Sequence, residues 1–161
     1  MCGILGLSGD PLIQSDNSRS AKDLFVDLFK KSLKLINHRG PDASGVLMDW
    51  EANFFLGHNR LAIQDLSNLG NQPMLSEDGQ IAIIFNGEIY NFLDLRNDLL
   101  LLGYKFKTNT DTEVIIYLFK EFGIECFAKL DGIFALAIYH YESHQLFLAR
   151  DGLGIKPLYY F

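Results

Sequence analysis

Two cysteines, Cys2 and Cys126, are all that 161 residues contain. That is too few for a disulfide framework, so both read as reduced thiols of a cytoplasmic protein. Positive charge is also scarce: 14 lysines and arginines against 20 acidic residues leave a net charge of −6, and the basic residues are scattered. Without a basic stripe, nucleic acid is excluded as a partner. No apolar run approaches the ~20 residues of a membrane helix, and no secretory leader is expected. The four histidines, His38, His58, His140 and His144, have no metal-ligand spacing to one another or to the cysteines. No metal is expected. Internal repeats and low-complexity tracts are absent too.

What the chain has is apolar side chains. They make up 48% of it, 13 of them phenylalanine, enough to rule out disorder and to build an aromatic-rich core. The length suits one domain, residues 1–161, able to bury on the order of two-thirds of its extended-chain surface.

Apolar residues at helical spacing predict an amphipathic helix from Ser20, as N-cap, to about Leu35. A second helix is predicted over Phe92–Leu102, with Asn91 as cap and Gly103 as stop. A third begins near Thr110, where Thr110-Asp111-Thr112-Glu113 has capping-box spacing, and ends at Gly123. Strands are predicted at Gly3–Ser8, Val46–Trp50, Asn53–Leu56, Gln80–Phe85, Tyr104–Thr108, Ile133–Tyr139, Gln145–Ala149 and Leu158–Phe161. Gly9–Asn17 reads as an exposed turn, and Arg60–Asp78 as the one long irregular segment. Ile81–Phe85 and Ile133–Ile138 are apolar at consecutive positions, so both faces of these strands are expected to be buried. Sheets covered on one face by another sheet and on the other by helices satisfy that requirement, which predicts a layered α+β fold.

Several polar clusters interrupt this framework. Loss of Met1 would give Cys2 a free α-amine, placing a nucleophilic thiol and a base of pKa about 7.7–8.0 in one residue. Cys2 also suits a small buried position at the start of a strand. His38-Arg39-Gly40-Pro41-Asp42, taken by itself, reads as a helix stop. Asn86-Gly87 is a strong hairpin-turn signal, yet a side-chain amide and a backbone N–H at a strand end can also form an oxyanion hole. Glu88 follows at once, a carboxylate able to hold an ammonium. Asp111 could serve its helix as a cap and a ligand as a partner. Arg60, where a strand enters the long loop, offers a guanidinium for a carboxylate. Cys126, in an apolar segment, reads as structural.

Taken in order, MCGILG at the N-terminus, HRGPD at 38–42, GHNRLAIQDLSNLGNQPM at 57–74, FNGEIYN at 85–91, TDTEVI at 110–115 and ARDGLGIKPLYY at 149–160 resemble the class II glutamine amidotransferase domain. The HRGPD form is similar to the glutaminase domain of glutamine-hydrolysing asparagine synthetases. The resemblance implies a four-layer αββα sandwich of the N-terminal nucleophile hydrolase type. It further implies Cys2 as nucleophile, its freed amine as base and then acid, and Asn86 and Gly87 as oxyanion hole. Arg60, with backbone help from Leu61 and Ile63, would hold the glutamine α-carboxylate, while Glu88 and Asp111 would hold the α-ammonium. The implied reaction is hydrolysis of glutamine to glutamate and ammonia through a γ-glutamyl thioester, with no cofactor in this domain. ATP and magnesium would belong to a C-terminal synthetase domain or partner that receives the ammonia. By that resemblance the chain is expected to be a fragment lacking the last strands and the synthetase part. Its assembly state is open, a homodimer included. A non-catalytic glutamine-binding domain of the same fold is the alternative.

Overall fold

The structure, a computed structural model, describes residues 1–9 and 19–160. In chain order the main elements are β1 (Gly3–Ser8), α1 (Arg19–Leu35), β2 (Ala43–Asp49), β3 (Phe54–Arg60) and β4 (Met74–Leu75). After these come β5 (Ile81–Ile89), α2 (Phe92–Leu101), α3 (Asp111–Phe122), β6 (Gly132–His140) and β7 (Gln145–Arg150). They form a three-stranded sheet of order β1-β3-β2 and a four-stranded sheet of order β4-β5-β6-β7. Every neighbouring pair is antiparallel.

The sheets face each other through Phe54 and Leu56 on one side and Ala82, Ile84, Ala137 and Tyr139 on the other. The Phe54 ring stacks on Tyr139 with centroids 3.8 Å apart. Because strand side chains alternate, the intervening residues face outward and need a second cover. For the four-stranded sheet, Ile81, Ile83, Phe85, Leu136 and Ile138 find it in α2 and α3, which contribute Leu95, Leu99 and Ile115. On the other sheet, Phe55 meets Phe25 of α1 at 4.6 Å between ring centroids. Gly57 lies so close under α1 that a Cβ there would be 3.2 Å from Leu33. Helix, sheet, sheet, helix is the four-layer α+β sandwich that the doubly apolar strands require.

Several elements differ from the sequence expectation for physical reasons. Helix α1 already includes Arg19, so Ser20 lies inside it rather than at its cap. Asn91 stands at the N-cap position of α2 but its side chain makes no cap bond. Its amide instead donates to the Lys129 carbonyl at 3.0 Å and accepts the Asp131 N–H at 3.1 Å. Thr110 does cap α3, accepting the Glu113 N–H at 3.2 Å. The Glu113 carboxylate does not close the capping box. It takes the Lys107 and Thr108 N–H groups and the Thr108 hydroxyl. With those donors taken by a side chain, Tyr104–Thr108 has no ladder to join and is not a strand.

Residues 158–160 are not strand either, and Phe161 lies outside the described residues. So does the expected turn beyond Gly9. The strands that matter most run further than expected: β3 continues to Arg60 and β5 to Ile89. Cys126 is fully buried, and burial pushes its thiol up to about 12. Among the described residues there is no cluster able to hold a metal ion, and no helix is long and apolar enough to cross a membrane.

Candidate active site

The two-residue period that builds the core also builds the site. In β3, Phe54 and Leu56 face the opposing sheet, and the same parity carries on to His58 and Arg60. In β5, Ala82 and Ile84 lead to Asn86 and Glu88. In β1, Ile4 packs on the same inter-sheet core, and Cys2 precedes it by two. The Gly3–Asn59 register sets Cys2 beside Arg60. The inner apolar stripes of three strands thus turn polar at one end of the sandwich.

A cavity of about 140 Å³ opens there, lined by Cys2, Arg60, Leu61, Ile63, Asn86, Gly87, Glu88 and Asp111. The fold therefore brings every expected site residue together. Asn86-Gly87 is not a hairpin turn, because β5 runs through it paired to Ala135 and Phe134 of β6. A Cβ on Gly87 would sit 2.2 Å from the Ile133 carbonyl oxygen, so only glycine fits.

Cys2 is held from both sides. Its Sγ accepts the Leu61 N–H at 3.4 Å, and its carbonyl accepts the Arg39 Nε–H at 3.1 Å. The thiol in turn donates to the Leu61 carbonyl at 3.9 Å. HRGPD is thus more than a helix stop. Besides Arg39, Asp42 accepts the Ala62 N–H at 2.9 Å and gives its own N–H to the Arg60 carbonyl at 3.0 Å. Gly40 is required by close packing, since a Cβ would lie 2.3 Å from the Asn59 oxygen.

Arg60 is largely buried and holds the long loop. Its guanidinium donates to the Ser67 carbonyl at 2.7 Å, to Asn71 Oδ1 at 3.0 Å and to the Asp65 carbonyl. Three of its five N–H donors are thereby used, and the other two have no hydrogen-bond partner among the described residues. Asp65 is held low, at about 2, chiefly by the Asn109 N–H. Leu61 gives its N–H to sulfur, whereas the Ile63 N–H takes no partner among the described residues.

On β5, the N–H groups of odd-numbered residues face the β4 edge, but β4 reaches only as far as Ile83. Beyond it, the Phe85 N–H goes to Gln72 Oε1 at 2.6 Å and the Ile89 N–H to Asp111 Oδ2 at 3.1 Å. Gly87 lies between them. No side chain among the described residues takes its N–H, which is left for the cavity. Asn86 is buried, and its Oδ1 has no hydrogen-bond partner among the described residues.

At the acidic end of the cavity, the Gln64 amide bridges Glu88 and Asp111, accepting the Asp111 N–H at 3.2 Å and donating to Glu88 Oε1 at 3.5 Å. Burial pushes Asp111 up to about 6 against the pull of the Ile89 N–H, and the Glu88 charge adds to the rise. His58 is driven down to about 4, mainly by burial. It is therefore neutral at pH 7 and donates from Nε2 to the Phe85 carbonyl at 3.1 Å.

Sequence reasoning assigned no role to Gln64, Gln72, Thr112 or Lys156, which also line the cavity. Gln64 and Gln72 lie within the 57–74 motif and Lys156 within the 149–160 motif. The partners of Gln64, Gln72 and Thr112 are far away in the chain, however, and no local pattern marks such contacts.

A family model described as the glutamine amidotransferase domain matches residues 1–161. Glutamine-hydrolyzing asparagine synthetase 1 of Bacillus subtilis is 42% identical over 161 residues, covering 99% of this chain and 24% of that protein. Glutamine-hydrolyzing asparagine synthetase 3 of Arabidopsis thaliana is 40% identical over 159 residues, covering 99% and 25%. The chain thus spans about a quarter of the length of these relatives. Among solved structures, the glutamine phosphoribosylpyrophosphate amidotransferase of B. subtilis, complexed with ADP and GMP, superposes with a TM-score of 0.52 at 26% identity. That match covers 62% of this chain and 23% of the other.

Proposed function

The chain belongs to the glutamine amidotransferase domain family, and from that membership we propose that its cleft hydrolyses glutamine to glutamate and ammonia with Cys2 as nucleophile. The observation that carries this reading is the open β5 edge. The free Gly87 N–H and the Ile89 N–H bound to Asp111 lie two residues apart, roughly 6.8 Å along the strand. An extended glutamine has a comparable reach from its ammonium to its amide oxygen. Glu88 and Asp111 hold the ammonium, the spare donors of Arg60 and the Ile63 N–H hold the α-carboxylate, and the amide oxygen falls at Gly87.

The Cys2 thiolate adds to the amide carbon while the α-amine of Cys2, freed by removal of Met1, keeps the thiol proton. The Gly87 N–H and the Asn86 amide take the negative charge that develops on oxygen. The C–N bond then breaks as the ammonium returns its proton to the leaving nitrogen, giving ammonia and a thioester. Water attacks the thioester, with the same amine as base, releasing glutamate and the thiol. Leu61 steadies the sulfur. The reaction needs a reduced thiol, in keeping with a cytoplasmic setting. We further propose that the ammonia passes to an acceptor-activating part or partner, as the names of the synthetase relatives suggest, and that ATP and magnesium act there.

The test is glutamate release by chain whose intact mass shows that Met1 is gone. Turnover that disappears when Met1 is retained is the expected result. Full activity with Met1 in place would overturn the amine as base, and no glutamate from processed chain would overturn the function.

Binding should also depend on pH. Asp111 sits raised, at about 6, and an ammonium ligand favours its charged form, so ligand binding and proton binding compete. Glutamine affinity of the Cys2→Ala variant is expected to be constant above pH 7 and to weaken below pH 6, approaching tenfold per unit. Asp111→Asn should flatten the profile. Calorimetry at pH 5 and 7 checks this, and equal affinities at both would exclude the role.

A further inference from the structure

Gln72 joins the two ends of the cleft. One half of its amide accepts the Phe85 N–H at 2.6 Å, on the β5 edge just before Asn86 and Gly87. The other half donates to Thr112 Oγ1 at 3.1 Å, in the first turn of α3 beside Asp111. Gln72 is itself largely buried and lines the cavity.

Where β4 ends, β5 loses its neighbour on that side, and an edge strand with free donors is prone to shift or fray. Phe85 is secured by side chains instead: Gln72 holds its N–H, and His58 holds its carbonyl at 3.1 Å. Of these two side chains, Gln72 is the one that reaches on to α3. We propose that Gln72 is a positioning residue that locks the N-terminus of α3 to the open edge of β5. Together with the bond from the Ile89 N–H to Asp111, it thereby fixes the separation between Asp111 and the oxyanion donors. This deepens the proposed glutaminase reading and rests on it for its effect on turnover.

Catalysis is sensitive to such spacing, since a misplacement of about 1 Å can cost on the order of 100-fold. In Gln72→Met, which keeps length but removes both hydrogen bonds, kcat for glutamine hydrolysis is expected to fall about 10- to 100-fold. KM should stay within about threefold, because each subsite keeps its own groups. Alkylation of Cys2 by iodoacetamide, which needs neither subsite, should change less than twofold. Thr112→Val breaks only the α3 end of the link. It is expected to lower kcat in the same sense, and the double variant should be no worse than Gln72→Met alone.

Amide hydrogen exchange at Phe85 supplies a readout independent of activity. It should quicken in Gln72→Met and, less strongly, in Thr112→Val. The proposal is overturned if kcat is unchanged in Gln72→Met, or if Thr112→Val leaves both kcat and Phe85 exchange as in the wild type. Should Gln72→Met not fold, Thr112→Val alone decides. Should the wild-type chain release no glutamate, the glutaminase reading fails by itself, and exchange at Phe85 in Thr112→Val still decides whether the two elements are linked.

Discussion

Cys2→Ala is expected to abolish glutamate release, by at least about 10⁴-fold, while glutamine still binds. The size follows from what the sulfur does: without it no thioester forms, and the remaining groups can only orient glutamine toward water, as in other enzymes stripped of their nucleophile. Retention of binding follows from the layout. Arg60, Glu88 and Asp111 reach the cavity from β3, β5 and α3 and owe none of their placement to the Cys2 side chain. The sulfur accepts one N–H, that of Leu61 at 3.4 Å, a weak bond whose donor can turn to water in the variant. Equilibrium binding of glutamine to the variant, measured beside its turnover, separates the two effects. Turnover at a tenth of the wild-type rate would exclude covalent catalysis by Cys2.

The second large effect is expected at Asn86. Asn86→Ala should lower kcat by about 10²–10³, the usual cost of removing one oxyanion donor. The structure adds an expectation about stability. Asn86 Oδ1 is buried without a partner among the described residues, a condition that typically costs about 1–3 kcal/mol. Removing the amide should therefore leave thermal stability unchanged or raise it, even as activity collapses. Sites kept for chemistry at the expense of stability behave this way. A variant that loses activity and melting temperature together would point to a packing role instead.

Much of this was legible in the sequence because it depends on local pattern. Consecutive apolar residues in Ile81–Phe85 and Ile133–Ile138 require a cover on both faces, and the four layers follow. The residues that line the cavity from Cys2 to Asp111 were legible through the ordered motifs that contain them. What stayed hidden depends on partners distant in the chain. Asn86-Gly87 carries a turn signal, and only pairing with Ala135 and Phe134 turns it into mid-strand. The tract before Thr108 has strand-like residues, but Glu113 takes its amides. Gln72 looks like any loop glutamine until Phe85 and Thr112 stand on either side of it. Nothing local marked Arg60 as the post around which the long loop is wound.

The alternation along β3 and β5 has a consequence for how such a cleft can change over generations. Parity is all-or-none: a one-residue slip within β5 would send Asn86 and Glu88 toward the helices and turn Phe85 and Gly87 inward. Point substitutions can retune this site a group at a time, but single-residue insertions or deletions inside these strands erase it at a stroke. Length variation among descendants should therefore gather in the connections and spare the strands, leaving the spacing from Phe54 to Arg60 and from Ile81 to Ile89 fixed even where the side chains between them drift.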